Sequence, residues 1–113
     1  MYFQKGLLDE AIKTYQLITT GKPDFAPGHN NLGVVYMEKG LIDEAIKEFK
    51  ITISLDRHFP DAYSNLGLAY KKKGLLKEAM ENLEQALTLS PEHRDARMRM
   101  DEVIRLLEGQ ITK

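Results

Sequence analysis

The chain has 113 residues, enough for one compact domain, and its 42% hydrophobic and 29% charged side chains are the balance of a soluble globular protein. Its 16 basic and 17 acidic side chains leave a net charge of −1, so no overall field draws it to nucleic acid or to an anionic membrane. Cysteine is absent, which excludes disulfides and thiolate chemistry and fits a reducing, cytoplasmic compartment, and no apolar run approaches the roughly 18 residues of a membrane span.

The first predicted element carries the phrase GLLDEAI at residues 6–12. It returns as GLIDEAI at residues 40–46 and as GLLKEAM at residues 74–80, a constant stride of 34. Residues 1–25 therefore read as a partial repeat. Tyr2 falls in register with Tyr36 and Tyr70, and Tyr15 with Phe49 and Leu83. Met1 is the tenth position of its repeat, so the first helix of that unit is mostly missing. The helix that remains, with Ala11, Ile12 and Tyr15, presents an open apolar edge. Two readings stay open at that edge: it meets a second copy of the chain as a homodimer, or it is the frayed end of a piece of a longer array.

Residues 26–59 form the next repeat. His29, Leu32, Val35 and Tyr36 follow helical spacing, and Lys39-Gly40 closes that helix. A second helix places Ile42, Ala45, Ile46, Phe49 and Ile53 on one face, with Asp43 and Glu44 at its positive end. Asp9 to Lys13 and Asp43 to Lys47 are acid-to-base pairs four residues apart. Residues 60–93 repeat the pattern. Gly33 and Gly67 stand mid-helix, where glycine costs about 1 kcal/mol against alanine. They predict a close crossing, Gly33 against Ala45 and Gly67 against Ala79. Residues 94–113 predict a capping helix, with Ala96, Met100, Val103, Ile104 and Leu107 as its apolar stripe and Gly109 as its stop.

The pattern Leu-Gly-x-x-Tyr, Ala-x-x-x-aromatic, then Pro, at a stride of 34, resembles the tetratricopeptide repeat. It is carried by Leu32, Gly33, Tyr36, Gly40, Ala45 and Phe49, then by Leu66, Gly67, Tyr70, Gly74, Ala79, Leu83 and Pro91. The resemblance implies an all-α fold, an α-solenoid of antiparallel helix hairpins in a right-handed superhelix. It would hold about two and a half units plus the cap. His29 and Tyr63 stand where that family often has tryptophan, and Ile18 and Thr52 where alanine is usual.

The resemblance further implies a concave groove lined by the first helix of each hairpin. Asn31 and Asn65 would hold peptide main chain, and Val34 and Leu68 an apolar side chain. Lys71, Lys72 and Arg99, with Arg105 beyond them, would favour acidic or C-terminal carboxylate groups on a protein or peptide partner. The family's complete carboxylate clamp is not expected. Only Asn65 followed by Arg99 survives, while Asn30 and Val34 replace its first lysine and asparagine.

No chemistry competes with this. His29, His58 and His93 lack metal spacing and read as structural or surface groups. The Asp-Glu pairs mark helix starts, and there is no phosphate loop, nucleophile elbow or zinc-protease motif. The expected function is a non-catalytic interaction module without cofactor. The alternatives are a scaffold that self-assembles through Ala11, Ile12 and Tyr15, or an accessory segment of a larger enzyme. The Ser-Asn-Leu-Gly-x-x-Tyr wording resembles repeat arms of glycosyltransferases.

Overall fold

The computed structural model describes residues 2–111, so the register of Met1 and the last two residues of the expected cap lie outside the described residues. The side chain of Tyr2 is likewise outside what is described. Among the described residues there are six helices and no strand. They are α1 (Tyr2–Gly21), α2 (Ala26–Lys39), α3 (Ile42–Leu55), α4 (Pro60–Lys72), α5 (Leu76–Leu89) and α6 (Arg94–Ile111). The chain separates into two compact units, residues 1–57 and 58–113, each of three helices.

Glycine and proline set the helix ends. Proline stands in the first turn of α2 and of α4, where its missing N–H costs nothing. Gly40 ends α2 in the left-handed region at φ 89°, its N–H donating to the Met37 carbonyl at 3.0 Å. Leu41 N–H then reaches the Tyr36 carbonyl at 2.8 Å. Gly74, at φ 78°, repeats this arrangement after α4.

The stop expected at Gly109 is absent, since α6 runs through it to Ile111, and Gly6, the counterpart of Gly40 and Gly74 in the repeat, lies inside α1 without a positive φ. At Gly40 and Gly74 the following helix folds back and packs on the one before.

In the first unit α2 packs between α1 and α3. Its buried core includes Leu32, Val35, Ala45 and Phe49. In the second, α5 packs on both α4 and α6, burying Leu76, Ala79, Leu83, Ala86, Ala96, Met100 and Val103. Ala96, Met100 and Val103 are the buried stripe expected of the cap. Ile104, expected on the same stripe, is 41% exposed.

The glycine notches are real, and the atoms nearest to Gly33 are those of the Phe49 ring. A Cβ placed on Gly33 would lie 2.5 Å from Cε1 and 2.8 Å from Cδ1 of Phe49. On Gly67 it would lie 2.6 Å from Cγ of Leu83 and 3.2 Å from the Ala79 carbonyl oxygen. The reason is direction. A helical side chain covers the turn N-terminal to its own Cα, so the group one turn after the alanine fills the notch. Gly33→Ala is accordingly expected to destabilise, because overpacking of about 1–3 kcal/mol outweighs the helix-propensity gain of about 1 kcal/mol. Urea unfolding measures the net sign.

Buried polar groups are paired. The His29 ring joins three segments, with Nδ1 at 2.8 Å from Glu48 Oε1 and Nε2 at 2.8 Å from the Pro23 carbonyl. Thr52 donates to the Glu48 carbonyl at 2.8 Å. These two of the four departures from the family pattern thus make their hydrogen bonds inside the first unit. Asp9 accepts from Lys39 on α2 rather than serving only the expected pair with Lys13.

Candidate functional site

The second unit holds the cluster that unites most of the expected site residues. Three polar ties join α4 to α6 along their length. At the N-terminal end, His93 Nδ1 accepts the Ala96 N–H at 3.1 Å, so the ring caps the start of α6. Its Nε2 then carries the proton and donates to Asp61 at 2.5 Å. At the other end, Lys71 donates to Glu102 at 2.7 Å. That hydrogen bond, then the lysine charge, holds the Glu102 carboxyl below the usual carboxylate range, with Arg105 and Arg99 adding to the effect.

Between these ties sits Arg99. Its Nη1 donates to Ser64 Oγ at 2.9 Å and to Asn65 Oδ1 at 3.1 Å. Ser64 is fully buried, which fixes the guanidinium on a rigid base. Burial lowers the pKa of Arg99, against the opposing charges of Asp95, Asp61 and Glu102. An arginine guanidinium stays a cation in proteins. Both hydrogen bonds leave from Nη1, so the Nη2 and Nε donors are left for a planar acceptor such as a carboxylate.

Asn65, Leu68, Lys71 and Lys72 therefore share α4 beside Arg99 of α6, and Asn65 touches Arg99 by a hydrogen bond. Leu68 is half-buried and Lys72 exposed. Lys71 is bound to Glu102, which reduces the basic charge expected there. Arg99 is half-buried against α4. Asn31, exposed, and Val34, half-buried, lie on α2 of the first unit.

Sequence reasoning missed the Ser64 anchor and the Asp61–His93 link. Their signal was weak, since each pairs residues about one repeat apart whose types carry no recurring motif. Ala11, Ile12 and Tyr15 are half-buried on α1, which packs against α2. The exposed apolar groups of that helix are Leu7, at 59%, and Leu17, at 75%. Among the described residues no group of acidic, histidine or cysteine side chains could hold a metal ion. Likewise, no described helix is long and apolar enough to cross a membrane.

Comparison with known proteins agrees with this architecture. The TPR repeat family profile matches residues 1–40 and 35–74, and the tetratricopeptide repeat profile matches residues 60–93. A search of the curated proteins finds no match. Among solved structures, the first TPR of Spaghetti (RPAP3) bound to the HSP90 peptide SRMEEVD is 26% identical, with a TM-score of 0.87, over 95% of this chain and 85% of that one. The second TPR domain of human RPAP3, in complex with the HSP70 peptide SGPTIEEVD, is 25% identical with a TM-score of 0.82, over 90% of this chain and 85% of that one. The Sgt2 TPR domain from Aspergillus fumigatus has a TM-score of 0.91 at 18% identity, over 98% of this chain and 75% of that one, a likeness of fold alone. Repeat spacing, helix hairpins and glycine notches agree with these matches: the chain belongs to the tetratricopeptide-repeat family and has its all-α, α-solenoid class of fold.

Proposed function

We propose that the chain is a non-catalytic, cytoplasmic interaction module that binds an extended peptide by its acidic, C-terminal carboxylate end on the α4–α6 face. The observation that carries this reading is Arg99, held on one edge by Ser64 and Asn65 with its other donors left for a ligand. Two similar solved structures hold peptides ending in EEVD, which supports the same chemistry here. Asn65 and Leu68 would receive main chain and an apolar side chain. On the first unit, Asn31 and Val34 are the proposed contacts. Titrating the ¹⁵N-labelled protein with SRMEEVD tests this: amide shifts should concentrate at Asn65, Leu68 and Arg99, and a titration that leaves them still would refute it.

Glu102 limits the affinity of that face. It binds Lys71 and sets a negative charge near Arg99. Glu102→Gln is expected to tighten SRMEEVD about threefold, since an exposed charge contact is worth up to about 1 kcal/mol. Fluorescence polarisation reads the change.

A second reading has its own observation. Exposed Leu17 borders an open hollow of about 440 Å³ with Ile18, Gly21, Lys22 and Phe25, on the helix that also carries Ala11, Ile12 and Tyr15. Self-association through α1 would cover it. Light scattering at high micromolar concentration should then give a dimer mass that Leu17→Glu reduces to a monomer. A monomeric parent protein removes this reading.

A further inference from the structure

Both nitrogens of the His29 ring face oxygen. Nδ1 meets Glu48 Oε1 of α3 at 2.8 Å, and Nε2 meets the Pro23 carbonyl, in the loop after α1, at 2.8 Å. A carbonyl accepts and never donates, and an ionised carboxylate does the same. A neutral imidazole carries one N–H, so it serves one of these oxygens and turns a bare lone pair on the other. The residue is buried, so little water reaches the ring to relieve that contact. A buried cation is costly when isolated, but here a carboxylate in hydrogen-bond contact compensates it. The other charged groups of the elements around α2 face outward. Lys13 on α1, Lys22 and Asp24 beside Pro23, and Glu44, Lys47 and Lys50 on α3 are all exposed, and Lys22 stands over the Phe25 ring. Toward Gly28, next to the histidine, α1 turns only the methyl groups of Ile18 and Thr19.

We propose that His29 is held doubly protonated against Glu48, and that this extra proton locks the loop at residues 22–25 to α2 and α3. Removing the proton leaves the ring with one N–H. The bond to the charged carboxylate is the stronger of the two, so Nδ1 keeps its proton and Nε2 turns a lone pair on the Pro23 carbonyl. The tie to the loop then opens. Lys22 and Phe25 of that loop border the hollow beside Leu17, so the proton controls one wall of it. This device is independent of the peptide reading. In the unfolded chain a histidine loses its second proton at about pH 6.5, whereas the folded pair keeps it, so folding takes up a proton. The stability this adds is fully present below about pH 6.5 and is lost as the pH rises to where the folded pair releases its proton.

Ring ¹⁵N spectra of the whole chain at about pH 7.5 test the proposal. Both His29 nitrogens should show the protonated, imidazolium pattern. Glu48→Gln offers an amide N–H to Nδ1, so in that variant the ring should carry a proton on Nε2 alone and keep its bond to Pro23. A parent ring with a single proton at that pH overturns the proposal. On raising the pH, the amides of Asp24 and Phe25 should move with the same midpoint as the ring, and amides that stay still overturn the lock on the loop. Urea unfolding gives an independent readout. Between about pH 6.5 and about pH 8, the folding equilibrium constant of the parent should fall about tenfold further than that of Glu48→Gln, the linkage of one proton. Equal falls in the two proteins overturn the proposal as well.

Discussion

Phe49→Ala is expected to cost about 3–5 kcal/mol of stability, the range for emptying a buried phenylalanine site. The ring is fully buried, and its edge occupies the notch that Gly33 leaves in α2. Its removal leaves a cavity between α2 and α3 that neither helix can close without moving. Small domains have a total stability of only about 5–15 kcal/mol, so much of the margin goes with one side chain. Chemical denaturation should show a lower midpoint. A loss below about 1 kcal/mol would mean that the notch is not what joins these helices.

Arg99→Gln is expected to weaken an acidic peptide with a free C-terminus by about 30-fold or more. Truncating one partner of a hydrogen-bonded charge pair costs about 2–5 kcal/mol. The glutamine also leaves Ser64 Oγ, fully buried, without the donor it now accepts from. Some stability is therefore lost as well, about 1–3 kcal/mol, and thermal unfolding must be measured beside affinity. Arg99→Lys separates charge from shape. It keeps the positive charge but lacks the planar fork, so it should recover only part of the binding. Full recovery by lysine would assign the effect to charge alone.

The hairpins were legible because each is announced by residues whose backbone chemistry is nearly unambiguous. Gly40 and Gly74 are needed where φ is positive, and Pro60 starts α4. Gly6 and Gly109 look the same on paper yet lie inside helices. What distinguishes them is whether a neighbouring helix packs back, which is tertiary and has no local signal. The notch positions were also legible, while the partner of Gly33 was not. Residue size pointed to Ala45, and side-chain direction brings Phe49 nearest.

The site was legible as a set of surface positions rather than as a geometry. Asn65 and Arg99 were recoverable from repeat register. Their contact, and the burial of Ser64 beneath it, depend on side chains 34 and 35 residues apart. The run Lys71-Lys72-Lys73 reads as a solvated helix end, and its first member turns out to be tied to Glu102, 31 residues later. Local pattern determines which face of a helix a residue occupies. It does not determine which charge on the next helix will neutralise it.

Calorimetric titration of the protein with SRMEEVD, as free acid and as C-terminal amide, tests the central claim most directly. A bidentate charge-assisted contact at Arg99 predicts that amidation weakens binding about tenfold or more. Equal affinity of the two peptides would contradict it.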